Sequence, residues 1–505
     1  MADALFFLLL LRILQLGTTS LFNDPGTGWH LRTGQDILVT GLVPQVDTYS
    51  FTRQGQPWVQ TQWLADVVMS LGFALGGYDL LALGTALLIA GLFRWLYRTQ
   101  IDADGWPTLA LLVTICAACA ASGHFLARPL VATSIGVPLT FWWATQYARG
   151  AIGLGRLALL IPLAALWTNL HPGVLGGIAT VGLCGAGLVL HAAWPSFKQL
   201  DRTLSRRALI LVAVSLAMGL ATLINPYGMR WHGWIAGLMG MDALKAYVVE
   251  WKPPAWNDPA TWATAVLLVA ASLTAVVRKK GINPAEALIL MVWTYLGFTG
   301  GRHLPLLAMI LALVLGRVLA DARVRNSAIL RAGALLPLFS ADIKTTERRF
   351  PGGLISVLIG GVLIGVVQSG AALPQLGIGA AGPSEKRYSR GAMAWLTSHP
   401  PGGVFFNDLN YGGTLIHQVP GLKVYADDRF GLYGQDFIAR YRNAVLEPDT
   451  HARRALDEVD AQTVLIASHL PLRDWLMRQP DWTEEYKDAG AAVFGRVRVK
   501  PGDRR

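Results

Sequence analysis

Apolar runs long enough to cross a membrane recur along most of this chain and restrict its fold more than any other feature. A bilayer core about 30 Å thick needs roughly 20 apolar residues per helix. The runs lie near residues 4–22, 79–97, 107–125, 130–147, 157–171, 173–193, 208–224, 259–277, 284–300, 303–320 and 352–372. They predict an α-helical polytopic membrane protein with about eleven transmembrane helices. Charged residues make up 15% of the chain, against about 25% in soluble domains, which excludes an ordinary soluble protein.

The loops between these runs alternate in their content of Lys and Arg. One parity of loops carries Arg94, Arg98, Arg149, Arg156, Lys198, Arg202, Arg206, Arg207, Arg278, Lys279, Lys280, Arg323, Arg325, Arg331, Lys344, Arg348 and Arg349. Cytoplasmic loops are the ones enriched in cations. We therefore predict a protein of the cell inner (cytoplasmic) membrane with a cytoplasmic N-terminus and an extracytoplasmic C-terminal domain. On this interpretation the net charge of +11 reflects the cations that orient the protein in the membrane. We therefore expect membrane lipids and no nucleic acid as partners.

The remaining segments suggest a domain organisation. We predict a transmembrane domain over 1–372 with external loops at 23–78 and 225–258, a linker at 373–385, and an extracytoplasmic α/β domain over 386–505. The first loop shows helical patterns near 28–39 and 62–75. The tail alternates apolar runs near 403–406, 422–425, 463–466 and 492–494 with helical patterns near 388–397, 433–446, 451–458 and 471–478. Strands separated by helices are typical of a small α/β domain.

Polar residues concentrate at the external ends of the apolar runs, beginning with Asp24. This residue follows the first run directly, within an Asn-Asp-Pro-Gly turn. It could cap the helix that begins near Gly28. Alternatively, it is a carboxylate at the membrane boundary that accepts a proton from a hydroxyl or holds a cation. Trp29 and His30 add an aromatic wall and a second titratable group.

Amide and indole side chains follow in the same loop. Gln60 and Trp63 lie close in sequence to Trp58 and Asp66. Such groups suit a sugar, because sugar rings pack on indoles while hydroxyls bond to amides and carboxylates. Aromatic residues that anchor the loop at the membrane interface are the alternative.

A further set of polar residues lies at the external ends of other runs: His124, Arg128, Asn169, His171, Glu250, Lys252, Arg302 and His303. One Arg at a helix end often serves as a snorkelling anchor. Two arginines with a lysine could instead clamp a phosphate or pyrophosphate headgroup, and Glu250 is a candidate second carboxylate. Because these residues share the face of Asp24, we expect a single cavity open to the outer leaflet, lined by Asp24, His30, Arg128, His171, Arg302 and His303.

The tail adds four candidate binding residues. Asn407, Asp408, Asp428 and Arg429 all follow predicted strands, and loops at strand ends are where α/β domains place ligands. The chain has neither the His/Cys spacing of a metal site nor a nucleotide-binding fingerprint. We therefore expect no metal and no cofactor, with a divalent cation as a less favoured possibility.

Several of these motifs resemble the GT-C-type membrane glycosyltransferases. That superfamily combines a first span, a long external loop that opens with an acidic residue, further spans and a C-terminal external domain. A bacterial group with the pattern Asp-Pro-x-x-x-Trp-His-Leu-x-x-Gly is more similar still. Its elements are matched here by Asp24, Pro25, Trp29, His30, Leu31 and Gly34, by Trp167, Asn169 and His171, and by Asn407, Asp408, Gly412, Gly413, Asp428 and Arg429.

This resemblance implies an inverting glycosyltransferase that moves a sugar from a polyprenyl-phosphate donor to an extracytoplasmic glycan, lipid or protein. Asp24 would deprotonate the acceptor, and Arg128 and Arg302, with Lys252 and His303, would stabilise the departing phosphate. Two alternatives stay open: a non-catalytic component of envelope polysaccharide assembly, and a lipid or sugar transporter (flippase). The family often shows paired acidic residues in the first loop, whereas Pro25 follows Asp24 here, so a metal-free reaction is expected.

The charge asymmetry of the loops makes a prediction about topology. A reporter that is active only in the cytoplasm should be silent when fused after residue 400 and active when fused after residue 150, in a cation-rich loop. Reporter activity in cells expressing each fusion is the measurement. Strong activity of the fusion after residue 400 would reverse the predicted orientation.

Overall fold

A computed structural model describes residues 1–102, 106–193, 202–277, 283–319, 343, 345–347, 353–385 and 387–497. The chain forms two compact units. Unit 1 comprises Met1–Gln15, Ala82–Gly228 and Val248–Gly379, and unit 2 comprises Leu16–Leu81, Met229–Tyr247 and Ala380–Arg505. This division differs from the predicted linear one, because the first loop and part of the second long loop belong with the tail. The loop cations Lys198, Arg278, Lys279, Lys280, Arg323, Arg325, Arg331, Lys344, Arg348 and Arg349 lie outside the described residues.

Helices form almost all of unit 1 and part of unit 2. In chain order before the tail they are α1 (Ala2–Leu16), α2 (Thr27–Thr40), α3 (Trp63–Asp102), α4 (Pro107–Ala121), α5 (Leu130–Ala148), α6 (Leu154–Ala158), α7 (Leu160–Leu170), α8 (Val174–Ala193), α9 (Arg202–Ala221), α10 (Met229–Met239), α11 (Asp242–Tyr247), α12 (Pro259–Val277), α13 (Pro284–Thr299), α14 (Leu304–Leu319) and α15 (Leu354–Gln368). Short 3₁₀ turns cover Ser122–His124, Val249–Trp251, Gly301–His303 and Pro374–Leu376.

Six helices among the described residues are long and apolar enough to cross a membrane: Trp63–Asp102, Pro107–His124, Val174–Ala192, Arg202–Ala221, Pro259–Val276 and Gly301–Leu319. The chain is therefore a multi-pass membrane protein. The remaining predicted runs contain the 19-residue α5 or shorter helices such as α1 and α15, each of 15 residues. The total of eleven spans stays a prediction.

Two helix boundaries show how local sequence ends a helix. The first run was expected to extend to residue 22, but α1 ends at Leu16, where a Gly-Thr-Thr-Ser sequence of weak helix formers begins. The predicted separation of 62–75 from 79–97 is confirmed, because α3 is broken at Gly76 and Gly77. Gly77 has a φ of +59°, a left-handed conformation that glycine adopts without the steric cost of a Cβ.

Close helix packing in unit 1 depends on small residues. The buried α14 packs against α4, α5, α12 and α13. A Cβ on Gly316 would lie 2.1 Å from the Gln100 side chain, and one on Gly187 would lie 2.3 Å from the backbone of Ala285. Small residues at such crossings let helices approach closely in lipid, where the hydrophobic effect does not drive helices together.

A buried carboxylate joins three helix ends of unit 1. Glu286, in the first turn of α13, is 2% exposed. It pairs with Arg149, which follows α5, and with Arg317 in the last turn of α14 at 3.0 Å. A buried charge needs such partners, because removing one leaves an uncompensated charge.

The tail of unit 2 contains a four-stranded sheet and six further helices. The helices are α16 (Arg390–Ser398), α17 (Leu409–Gln418), α18 (Phe430–Tyr433), α19 (Gln435–Leu446), α20 (Pro448–Glu458) and α21 (Pro471–Leu476). The strands β1 (Val404–Asn407), β2 (Ala461–Ala467), β3 (Trp482–Lys487) and β4 (Ala491–Arg496) lie in the order β1-β2-β4-β3, and only the β1–β2 pairing is parallel. The predicted fold class is confirmed: an α-helical membrane protein with a C-terminal α/β part.

One predicted strand of the tail is wrong. Residues 422–425 do not join the sheet; Val424 instead exchanges backbone hydrogen bonds of 3.1 Å with Tyr49 and Phe51 of the first loop. The partner is remote in sequence, so the apolar pattern alone could not identify it. The strand β3 was missed because it combines one buried side chain, Trp482, with mostly polar side chains that are partly or fully exposed. The helix α17 was missed because its first residues were predicted to lie in a loop after the strand near 403–406.

A glycine-mediated helix crossing holds α2 against α17 inside unit 2. A Cβ on Gly28 would lie 2.1 Å from the carbonyl oxygen of Gly413, and one on Gly413 would lie 2.1 Å from that of Pro25. A Cβ on a third glycine, Gly412, would lie 2.3 Å from the carbonyl oxygen of Ala426. Any side chain at these positions would force the two backbones apart.

We expect Gly28→Ala to destabilise unit 2 by roughly 1–3 kcal/mol or more, because the added methyl group overlaps backbone atoms that cannot rotate away. Thermal unfolding in detergent, followed by tryptophan fluorescence, measures the change. Gly233→Ala in α10 is the matched control, since a Cβ there meets no atom within 4 Å and alanine favours the helix by about 1 kcal/mol. Equal melting temperatures for both variants would contradict the packing argument.

Candidate functional site

Unit 2 contains a group of polar side chains that we call the carboxylate cluster: Asp24, Trp29, His30, Asp66 and Asp428. Both Asp24 Oδ2 and Asp428 Oδ2 lie near Gly26, at 3.3 and 3.0 Å from the point where a Cβ on this residue would stand. The absence of a side chain at Gly26 therefore leaves room between the carboxylates. The indole Nε1 of Trp29 donates a 2.7 Å hydrogen bond to Asp428 Oδ1.

His30 is held in one orientation by a buried carboxylate. Its Nδ1 lies 2.6 Å from Asp66 Oδ1, and the Gln60 amide donates to the other oxygen of Asp66. The Trp29 ring lies over the imidazole, with the centroids 3.7 Å apart. A carboxylate at Nδ1 fixes the tautomer of a histidine and leaves Nε2 as the acceptor. The sequence placed Asp66 near Gln60 and Trp63 but did not predict it as a site residue. Its position in the first turn of α3 gives no signal that its partner is His30 in α2.

The surroundings of Asp428 disfavour its ionisation. Burial, with the nearby charges of Asp24 and Asp427, raises the pKa of Asp428 to about 7. Like charges held close together disfavour simultaneous ionisation. The cluster can therefore carry a proton on Asp428 near neutral pH.

Arg429, predicted as a ligand-binding residue, lies in a buried ion-pair network. Its Nε and Nη2 donate to Asp427 at 2.8 and 2.6 Å, and its Nη1 donates to Asp47 at 2.7 Å. The rings of Tyr49 and Trp58 lie 5.2 and 4.6 Å from its guanidinium carbon. These contacts join the first loop to the tail, which is a structural role.

The other two tail candidates also have structural partners. The Asn407 side chain bonds to the backbone of Tyr425 and Ala426. Asp408 caps α17 through the backbone N–H of Asn410. Of the four predicted tail residues, Asp428 is the one that the structure brings to the carboxylate cluster.

Unit 1 contains a second group, the cation cluster, consisting of His124, Arg128, Glu250, Arg302 and His303. Arg128 Nη2 lies 2.9 Å from Glu250 Oε2, and His124 Nε2 lies 4.0 Å from the same oxygen. The Arg302 guanidinium stacks on the ring of Trp251, 4.3 Å from its centroid. Arg128 and Arg302 were predicted, together with Lys252, as a phosphate clamp, and Glu250 is the carboxylate of the cluster.

Glu250 is ionised in this environment. Burial alone would raise the pKa of Glu250, but the positive charges of Arg128 and Arg302 and the hydrogen bond from Arg128 lower it to about 2. The turn that carries it is fixed by a 2.8 Å hydrogen bond from the Gly301 backbone N–H to the carbonyl of Lys252. Lys252 itself has an exposed side chain.

The remaining predicted site residues divide between the units. His171 Nδ1 accepts a hydrogen bond from the Gly173 backbone and lies 2.8 Å from Thr133 Oγ1. Asn169 donates to the carbonyls of Ala165 and Ile224, which ties the end of α7 to the turn after α9. Trp63 begins α3 in unit 2. The single cavity expected from the sequence stays a prediction.

The described residues contain no group of three or more His, Cys, Asp or Glu side chains placed to hold a metal ion. No family model and no curated protein matches the chain.

Several solved structures are similar to this chain. An oligosaccharyltransferase from Archaeoglobus fulgidus in the apo form matches with 12% identity and a TM-score of 0.46, over 99% of this chain and 75% of its own. ArnT from Cupriavidus metallidurans bound to undecaprenyl phosphate matches with 13% identity and a TM-score of 0.48, over 98% of each chain. The arabinofuranosyltransferase AftD from Mycobacteria matches with 14% identity and a TM-score of 0.47, over 98% of this chain and 40% of its own. At these identities and TM-scores none of the matches assigns an activity.

The buried position of Arg429 leads to a stability prediction. Arg429→Met should destabilise unit 2 by about 3–5 kcal/mol, because it leaves Asp47 and Asp427 buried without their counter-charge. Arg454→Met is the matched control: its partner Glu458 is exposed, and surface pairs contribute about 0–1 kcal/mol. Thermal unfolding and limited proteolysis of the purified variants provide the comparison. Similar stability of the two variants would contradict the structural role of Arg429.

Proposed function

We propose that this chain is a glycosyltransferase that moves a sugar from a polyprenyl-phosphate donor to a hydroxyl group of an extracytoplasmic glycan, lipid or protein. The observation that carries the proposal is the carboxylate cluster, in which Asp24 and Asp428 both lie against Gly26 and the Trp29 indole N–H donates to Asp428. A carboxylate beside an aromatic ring suits a sugar hydroxyl, because the ring packs on the sugar while the carboxylate accepts its proton. The motifs that resemble GT-C enzymes contain these same residues.

In the proposed reaction Asp24 acts as the general base. The acceptor oxygen attacks the anomeric carbon as its proton passes to Asp24, and the bond between that carbon and the donor phosphate breaks. The phosphate oxygen leaves with the bonding electron pair. A single displacement of this kind inverts the anomeric configuration. His30, oriented by Asp66, can take up a proton at Nε2 and so assist the release of the proton from the cluster.

The cation cluster of unit 1 has the chemistry of a phosphate site. Arg128 and Arg302 would bind the phosphate of a polyprenyl-phosphate donor and balance its negative charge. A lipid-linked donor also fits a multi-pass membrane protein, whose apolar surface gives a polyprenyl chain access to the protein. We propose an inner-membrane location with the reaction on the extracytoplasmic side, as the loop charges predict.

Asp428 gives the C-terminal part a role in this proposal. The non-catalytic alternative treats the tail as a separate recognition module. Asp428 is a tail residue, and it lies beside Asp24 within unit 2. Its position favours participation of the tail in the reaction.

The proposal is tested by Asp24→Asn. The N-cap of α2 is Gly26 and no side chain caps this helix, and Asn has nearly the shape of Asp, so the variant should fold. Transfer should nevertheless fall by about 10²–10⁴-fold, because positioned acid–base catalysis is lost. The measurement is sugar transfer by purified protein in nanodiscs from polyprenyl-phosphate sugars. Asp449→Asn, which removes one partner of an exposed ion pair with Arg478, is the control and should transfer at the wild-type rate.

Two outcomes would change this assignment. Transfer by Asp24→Asn at the wild-type rate would show that Asp24 is not the general base and would favour the non-catalytic alternative. The reaction is proposed to need no divalent cation, so wild-type transfer should persist in chelator. Loss of transfer in chelator, with recovery on addition of a divalent cation, would contradict the metal-free mechanism.

A further inference from the structure

The cation cluster contains one carboxylate, and this carboxylate sets the charge that a ligand meets. Glu250 lies against Arg128 at 2.9 Å and within 4.0 Å of His124. Its neighbour Trp251 supports the Arg302 guanidinium. The Glu250 side chain is 30% exposed, so a ligand that approaches Arg128 also approaches Glu250.

The ionised groups of the cluster add up to one positive charge. Arg128 and Arg302 contribute two positive charges, and Glu250, whose pKa is lowered to about 2, contributes one negative charge near neutral pH. The imidazoles are counted as neutral. Without Glu250 the same arginines would present two positive charges.

Phosphate monoesters and diesters differ in charge, and the net charge of the cation cluster affects how tightly it binds each of them. A phosphodiester carries one negative charge, whereas a phosphomonoester has a second pKa near 6 and carries up to two. The proposed transfer converts the first class into the second, since the donor is a diester and the departing polyprenyl phosphate is a monoester. A doubly positive cluster would hold the product more tightly than the donor.

We propose that Glu250 is a specificity-determining residue that makes the cation cluster select a singly charged phosphodiester over a doubly charged phosphomonoester. The inference rests on the proposed function, because it assumes that the cluster binds the donor phosphate. Glu250 repels the second negative charge of the monoester and thereby lowers affinity for the product. Donor binding and product release then become compatible in one site.

Binding measurements on the full-length protein in phosphatidylcholine nanodiscs test the proposal. The probes are a polyprenyl phosphate and its methyl diester, at mildly alkaline pH, where the monoester is a dianion. Relative to wild type, Glu250→Gln should shift the ratio of the two dissociation constants toward the monoester by roughly tenfold or more, the effect of one unit charge at short range. Glu250→Asp, which keeps the charge, should keep the wild-type ratio.

Two further variants complete the design. Arg128→Gln lowers the cluster charge by one, so it should weaken both ligands and shift the ratio toward the diester. Glu385→Gln removes one partner of an exposed ion pair with Arg390 and should leave the ratio unchanged. If Glu250→Gln does not fold, the direction of the Arg128→Gln shift decides, and no shift or the opposite shift overturns the inference.

The outcomes separate this inference from the proposed function. If Arg128→Gln weakens both ligands while folded Glu250→Gln keeps the wild-type ratio, the charge-selection inference fails and the donor clamp stands. If neither ligand binds to wild type or to any variant, both fail. A tenfold shift in Glu250→Gln that Glu250→Asp does not reproduce supports the inference, whatever the rate of sugar transfer.

Discussion

The guanidinium of Arg429 lies inside unit 2, and the arrangement of that unit depends on its charge. It bonds to Asp427 in the tail and to Asp47 in the first loop, between the rings of Tyr49 and Trp58. A buried charge without its partner costs several kcal/mol, so the tail and the first loop reach their structures together. This explains why these segments, separated by most of the helices, form one compact unit.

The position of Asp428 follows from this ion pair. The residues on both sides of Asp428 are fixed in the network, which leaves its own side chain to meet Trp29 and Asp24. The glycine crossing between α2 and α17 brings the two backbones close enough for this contact. Burial and the neighbouring carboxylates then raise the pKa of Asp428. The same packing that stabilises unit 2 therefore places Asp428 beside Asp24 in the candidate site.

Two of the carboxylates that pair with arginines in unit 1, Glu286 and Glu250, differ in burial. Glu286 is 2% exposed and joins the ends of α5, α13 and α14 through Arg149 and Arg317. Glu250 has a similar charge environment but lies in a 3₁₀ turn with part of its side chain exposed. A partly exposed ion pair can meet a ligand from solvent directly, whereas the buried Glu286 meets its arginine partners. Glu250 is therefore the functional candidate of the two.

The sequence by itself determined the features that depend on local pattern. Hydrophobic runs specified the membrane helices. Gly76 and Gly77 specified the break in α3. The alternation of apolar runs and helical patterns in the tail specified three of its four strands. The sequence also identified Asp24 and the arginines of the cation cluster, because these charged residues recur at the external ends of the apolar runs. Tertiary structure alone decided which partners they have: Asp66 for His30, Asp428 for Asp24, and Asp47 for Arg429. These partners lie far apart in the chain. They are selected in three dimensions by complementary charge, burial and the close approach of the backbone. Such selection leaves no periodicity or residue spacing that could be recognised in the sequence.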